Sequence, residues 1–260
     1  MPEVTGTILD AIVRATAHRY RNDFSSFDPD KVQLPQRPAP RGLAGLRSGG
    51  FGLIAEIKSA SPSLGRISDS MSFEQRLLAY EMGGAAAISV LTEPEFFGGN
   101  LERLDQARAV TDLPLLRKDF IIHPLMVVEA YAHGADWILL IAALLNDGEL
   151  ERLFSLCASL GMLALVEVHT RGELDRVLQL NPDLIGINNR NLHTFEVCLE
   201  TCLTLRKHIP DHIAVVAESG ISSVASIREL KEAGFCGALV GEALMRDSDP
   251  QGLLQKWLAP

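Results

Sequence analysis

LPLLRKDFIIHPLMVVEAYAHGADWILLIAALL (113–145) contains one complete structural unit. A short strand-like run, 115–118, ends at Lys118, and a second run, 137–141, is apolar throughout. Between them, 124–133 reads as a helix, because Pro124 suits a first helical turn and Gly134 stands just past the end. A run without polar alternation is a strand buried on both faces. Such strands, joined through helices, belong to a parallel sheet whose outer face is covered.

The same alternation fills the chain from about residue 50 onward. Strands are expected near 53–58, 86–91, 115–118, 137–141, 163–168, 184–188, 213–218 and 237–240. Helices are expected near 73–83, 101–110, 124–133, 147–160, 171–180, 195–209, 223–234 and 250–258. Asp147 precedes one of them, and Gly83, Gly161 and Gly234 follow others. Eight strand–helix units close most simply as a (β/α)8 TIM barrel. A doubly wound sheet would want a Gly-rich turn after its first strand, and KSASPSLG (58–65) lacks G-x-G-x-x-G. The expected fold class is therefore α/β, a single barrel over 50–260 with an N-terminal helical extension over 1–49. In the extension, ILDAIVRATAHRYR (8–21) reads as an amphipathic helix with Ile8, Ile12 and Val13 on one side. The Pro-rich segment VQLPQRPAPRGLAGL (32–46) is irregular. That helix either packs over one barrel end or as a partly mobile arm, or serves as a flap over the active site.

Composition narrows the function classes. Hydrophobic residues make up 47% of the 260 positions and charged residues 22%, enough for a large core and unlike a disordered chain. The net charge of −9, with 24 scattered basic residues, argues against nucleic acid as a partner. A local positive site for an anionic small molecule remains compatible with it. Cys157, Cys198, Cys202 and Cys236 form no disulfide framework. Cys198 and Cys202 lie four apart and could share a helix face, but no further ligands accompany them, so no metal is expected. Glu3 and Asp10 interrupt any signal-peptide pattern, and WILLIAALL (137–145) is too short to span a membrane. A cytoplasmic enzyme is the expectation.

Five of the strand-like runs end at ionisable or amide residues: Glu56 and Lys58, Lys118, Glu167, Asn188 and Arg190, then Glu218 and Ser219. Burying such groups costs several kcal/mol each unless they are paired or wet. Their regular recurrence means that the strand ends converge on one polar site, and barrels of this kind gather their active sites at the C-terminal strand ends. Glu56 and Lys58, two apart on a strand, point to the same side and form a coupled pair. Lys118 and the adjacent Asp119 face opposite sides, so a pair between them is awkward. The loops after strands seven and eight carry Ser219 and Gly220, then Gly241 and Glu242. Their glycines let backbone N–H groups approach a phosphate closely, and Ser61 could add a hydroxyl from the first loop. At Glu242 the backbone is expected to serve while the side chain points away.

The blocks AEIKSASPS (55–63), SVLTEPEFFGGN (89–100), LPLLRKDFIIHP (113–124), LLIAALL (139–145), LVEVH (165–169), IGINNRNLHTFEV (185–197), VAESGI (216–221) and LVGEALM (239–245) resemble, in order, those of the indole-3-glycerol phosphate synthase family. The resemblance implies an EC 4.1.1.48 carboxy-lyase of tryptophan biosynthesis. It would close 1-(2-carboxyphenylamino)-1-deoxyribulose 5-phosphate to an indole with loss of CO2 and water, without cofactor or metal. Lys118 is then the acid that protonates the ketone oxygen, and burial on an apolar strand is expected to lower its pKa. Glu56, Lys58 and Glu167 form the acid/base set for dehydration, and the sequence leaves open whether Lys58 or Glu167 is the acid. Asn188 and Arg190 lie in the site, Arg190 near the anthranilate carboxylate or a neighbouring Glu. Glu218 orients its neighbours. Pro62, Phe97, Phe120, Leu139, Ile141 and Leu192 form the slot for the anthranilate ring, while Asn189 and Asn191 are turn residues.

The chain departs from the common family pattern at Leu64, Asn100 and His123, where Lys, Ser and Asp are usual. His123 is expected to cap or precede a helix and to take no part in proton transfer. A related isomerase would want a Cys base at the end of the first strand, where Glu56 and Lys58 stand. An aldolase using Lys118 as an imine-forming amine and a non-catalytic or specialised-pathway sugar-phosphate-binding paralogue are the further alternatives. The partner expected is a small anionic sugar phosphate, with the chain a monomer.

Overall fold

Eight parallel strands pair in sequence order: β1 (Gly52–Ile57), β2 (Ala87–Leu91), β3 (Leu115–Lys118), β4 (Trp137–Ile141), β5 (Leu163–Val168), β6 (Leu184–Asn188), β7 (Ala214–Glu218) and β8 (Gly237–Val240). β1 also pairs with β8, which closes the barrel. The computed structural model describes residues 8–28, 31–47, 50–61, 65–66, 71–191, 194 and 196–259. The strands begin and end within a residue of where the apolar runs place them, because a strand buried on both faces must be apolar along its length.

The helices between strands bury one stripe each against the barrel. Leu77 and Tyr80, Leu150, Leu153 and Cys157, and Ile227 and Leu230 are all inside. Their starts are fixed by reciprocal capping boxes: Ser72 with Gln75, Asn146 with Glu149, and Ser223 with Ser226. At the fourth helix the cap is thus Asn146, and Asp147 is the first helical residue. His123 caps the helix after β3, its Nδ1 accepting the Leu125 N–H at 3.2 Å. Asn100 accepts the N–H of Arg103 through its side chain.

One helix is shorter than expected. In place of 195–209 it runs Glu200–Arg206. The preceding residues fold back first: Arg190 bridges Val197 in antiparallel sense, and the Cys198 N–H donates to the Asn189 carbonyl. Two short helices inside loops, Pro94–Phe97 and Glu242–Arg246, have no periodicity long enough to register in sequence. Cys202 is buried in its helix whereas Cys198 is exposed ahead of it, so the two do not share a helix face.

The N-terminal segment runs from one end of the barrel to the other. The helix Ile8–Arg19 buries Leu9, Ile12 and Val13, and its first residues reach the cavity at the C-terminal strand ends. Tyr20 then donates to Glu129, and the Phe24 ring stacks on His123 at 4.1 Å. At the opposite end Asp136 sits just before β4, fully buried. Its carboxylate accepts from Arg37 Nη2 at 3.1 Å, from the backbone N–H groups of Arg41 and Leu115 at 2.9 Å each, and from Arg108 Nη2. Arg37 also donates to the carbonyls of Tyr131 and Ala135, and the Trp137 indole donates to that of Arg41. Beyond this clamp Leu46 plugs the barrel floor. A Cβ on Gly52 or Gly237 would meet its Cδ2 at 2.8 or 3.0 Å.

Asp136→Asn leaves three half-buried arginines facing an amide. The variant is expected to lose about 2–3 kcal/mol in urea unfolding, less than for a fully buried pair because the arginines are partly wet. Limited proteolysis should cut first within residues 20–41, and equal cleavage of variant and wild type would show that Asp136 does not hold this segment.

Candidate active site

The register puts the polar strand ends at one level. Leu91 pairs with Lys118, Ile141 with Glu167, and Asn188 with Glu218. Inward-facing positions at that level come from all sides of the barrel, so groups far apart in sequence meet. Lys118 Nζ lies 2.6 Å from Glu218 Oε2, 3.8 Å from Glu167 Oε2 and 3.9 Å from Glu56 Oε2. Burial opposes charge on this ammonium, but Glu218, Glu56 and Glu167 together outweigh it and hold its pKa above the ordinary lysine range. The expectation of a lowered pKa is therefore corrected. Desolvation acts as foreseen, yet three carboxylates from β7, β1 and β5 overturn it. Asp119 does not compete for Lys118. It pairs with Arg117 and accepts from Thr92 instead.

Two glycines make room for the carboxylates. A Cβ on Gly186 would stand 2.1 Å from Glu218 Oε1, and one on Gly241 would stand 2.3 Å from Glu56 Oε1. Glu56, on β1, accepts at 2.6 Å from Nζ of Lys58, which stands just past the strand end, as their spacing of two implies. Burial raises the pKa of Glu56, but Lys58 and Lys118, with Arg190 contributing, bring it below the usual carboxylate value. Glu218 goes the other way. Burial pushes it up to about 7, with Lys118 opposing and Glu167 and Glu56 adding to the rise.

Asn188 accepts the backbone N–H of Arg190 at 3.0 Å, fixing the turn that brings Arg190 over the site. Asn189 is more than a turn residue. It is buried, and its side chain accepts from the Cys202 N–H and donates to the Ser219 carbonyl, both at 3.1 Å. It thereby ties the end of β6 to the end of β7. Ser219 and Gly220 both have positive φ, 65° and 79°, a left-handed turn that a side chain at Gly220 would block against Val197. Gly241 precedes the helix Glu242–Arg246, and the Glu242 side chain turns outward to Arg246 at 3.2 Å.

A single cavity is lined by Glu56, Lys58, Lys118, Glu167, Asn188, Arg190 and Glu218, and by Ser219, Gly220, Gly241 and Glu242. Its apolar wall includes Phe97, Phe120, Leu139 and Ile141, with the rings of Phe97 and Phe120 5.8 Å apart. Pro62, Leu64 and Leu192 lie outside the described residues, as does the Ser61 side chain; the Ser61 backbone pairs with Gly65 in a small hairpin. Ile8, Leu9 and Ile12 of the N-terminal helix complete the wall, which places that helix over the active end. Sequence reading had left its position open. It also passed over His169, whose Nε2 lies 3.3 Å from Glu167 Oε1; spacing two from Glu167, the same as that of Glu56 and Lys58, was the available signal. Among the described residues no three His, Cys, Asp or Glu side chains are grouped to hold a metal ion, and no helix is long and apolar enough to cross a membrane.

The family model for indole-3-glycerol phosphate synthase matches residues 9–256. The indole-3-glycerol phosphate synthase of Mycolicibacterium gilvum is 44% identical over 251 residues, covering 95% of this chain and 92% of that protein. That of Sulfurimonas denitrificans is 43% identical over 257 residues, covering 96% and 97%. Among solved structures, 3-hexulose-6-phosphate synthase from Salmonella typhimurium superposes with a TM-score of 0.63 over 80% of this chain and 97% of that one; at 12% identity it shows the barrel fold alone. A closed eight-stranded barrel, a mouth lined with lysines and carboxylates, and a family match across nearly the whole length agree: the chain belongs to the indole-3-glycerol phosphate synthase family.

Proposed function

We propose that this chain closes 1-(2-carboxyphenylamino)-1-deoxyribulose 5-phosphate to indole-3-glycerol phosphate, releasing CO2 and water, as a cytoplasmic monomer in tryptophan biosynthesis. The observation that carries this reading is the family match over residues 9–256, with Glu56, Lys58, Lys118, Glu167, Asn188 and Arg190 all on one cavity.

The aromatic carbon that bears the carboxylate attacks the ketone carbon, and negative charge develops on the ketone oxygen. Lys118 is the group to meet it. An ammonium held in place by three carboxylates stabilises that charge without reorganising, and an alkoxide is basic enough to take its proton. Loss of CO2 returns the C–C bonding electrons to the ring and restores aromaticity. Dehydration then needs one group to protonate the leaving hydroxyl and one to accept a carbon-bound proton, roles for Lys58 and Glu167. Glu56 holds Lys58 in position. Arg190 offers a planar fork to the anthranilate carboxylate, Asn188 holds the Arg190 turn, and Phe97, Phe120, Leu139 and Ile141 with Leu192 and Pro62 take the ring. The phosphate is assigned to the backbone N–H groups around Ser219, Gly220, Gly241 and Glu242, with Ser61 assisting. Imine chemistry at Lys118 is disfavoured, since it requires a neutral amine and the carboxylates keep this one charged.

Incubation with the carboxyphenylamino deoxyribulose phosphate should generate indole fluorescence. Lys118→Ala is expected to lower kcat by about 10²–10⁴-fold while ligand binding stays measurable by calorimetry. A near-wild-type rate would remove Lys118 from the acid's role.

Glu218 gives a pH signature. Its pKa is raised in the folded protein, so between about 4.5 and 7 the folded state binds more protons than the unfolded one, and stability from this group falls as pH rises. Glu218→Gln removes that dependence. Urea unfolding should show the variant gaining stability relative to wild type from pH 4.5 to pH 7; parallel curves would contradict the raised pKa.

A further inference from the structure

Three strand ends each carry two side chains spaced two residues apart: Glu56 with Lys58, Asn188 with Arg190, and Glu167 with His169. The first pair is joined by a 2.6 Å hydrogen bond, and in the second the Asn188 side chain accepts from the Arg190 backbone. The third pair follows the same plan. His169 Nε2 lies 3.3 Å from Glu167 Oε1, while Lys118 faces the other oxygen, Oε2, at 3.8 Å. The approach of Nε2 is off the N–H axis, so this buried ring nitrogen has no aligned hydrogen-bond partner among the described residues.

The ring itself is held from behind. Glu173, in the first turn of the helix Arg171–Val177, accepts the His169 backbone N–H at 2.7 Å, and its Oε2 lies 3.4 Å from His169 Nδ1. His169 is largely buried and does not line the cavity, so it stands behind Glu167 as seen by a substrate. The groups that face it are Glu167 from β5, Glu173 from the following helix and Glu218 from β7, with Lys118 across Glu167. Burial disfavours the imidazolium, but the Glu173 hydrogen bond and these three carboxylates outweigh it and raise the His169 pKa.

We propose that His169 is a positioning residue for Glu167: its ring, braced by Glu173, is the ionic partner of one carboxylate oxygen while Lys118 faces the other. Glu167 is thereby held between His169 and Lys118, one on each carboxylate oxygen. The inference rests on the reading of this cavity as the indole-forming site. It uses a residue that touches no substrate and acts only through its neighbour.

The test pairs a titration with kinetics on the full chain. In NMR of imidazole-labelled protein, His169 is expected to titrate above the ordinary histidine range, and Glu167→Gln should lower its pKa by at least about half a unit. A His169 pKa unmoved by that substitution overturns the proposal. In turnover, His169→Asn, with His169→Gln as a second variant should the first fail to fold, should lower kcat by about ten- to a hundredfold with KM within about twofold. The pH dependence of its kcat should also differ from that of wild type, because the imidazole that titrates beside Glu167 is gone. A pH profile matching wild type, whatever the rate, also overturns it, since a purely structural role would change amount or stability and leave the profile in place. Wild-type turnover of the same substrate is measured alongside. Its absence would sink the functional reading, while the titration would still decide whether His169 and Glu167 are coupled.

Discussion

One ammonium shared among three buried carboxylates governs the mouth of this barrel. Lys118 has Glu218 at hydrogen-bond distance and Glu56 and Glu167 within 4 Å, and each reaches it from a different strand. Unpaired, any of these groups would cost several kcal/mol in this position. Together they are tolerable only while all four are held in register. Two missing side chains allow that arrangement, since a methyl group at Gly186 or Gly241 would occupy the place of a Glu218 or Glu56 oxygen. Closure of the sheet, the glycines within it and the charge balance at its mouth are one constraint. A chain that met only two of the three would bury an uncompensated ion.

The charges also divide the cavity. Lysines and carboxylates from β1, β3, β5 and β7 form its floor, the Ser219–Gly220 and Gly241–Glu242 turns form one rim, and Phe97 with Phe120 forms an apolar flank. On the proposed reading, a substrate with an aromatic ring at one end and a phosphate at the other would lie across that floor, its direction set by polarity on one side and ring contacts on the other.

Much of this was legible in the chain, for physical reasons that can be named. Buried parallel strands must be apolar along their length, so their positions stand out, and a polar residue at the tip of one has nowhere to go except a shared site. Local sequence could not tell what Lys118 faces once the barrel closes. Glu218 is 100 residues away, and its effect reverses the pKa direction that burial alone would give. Asn189 looked like a turn residue for a similar reason, as its partners Cys202 and Ser219 come from later elements. The role of Asp136 was hidden because the arginines it gathers, Arg37 and Arg41, sit in a Pro-rich stretch with no periodicity to read.

The N-terminal segment is fastened at the floor by Asp136 and Trp137 and touches the mouth through Ile8, Leu9 and Ile12. Between these points Tyr20 donates to Glu129 and Phe24 stacks on His123. A helix tied down at so many places loses little further freedom when it lies against the mouth, so its apolar contacts there need not be strong. The arginine clamp on the far side of the barrel thus helps to seat one wall of a cavity it never touches.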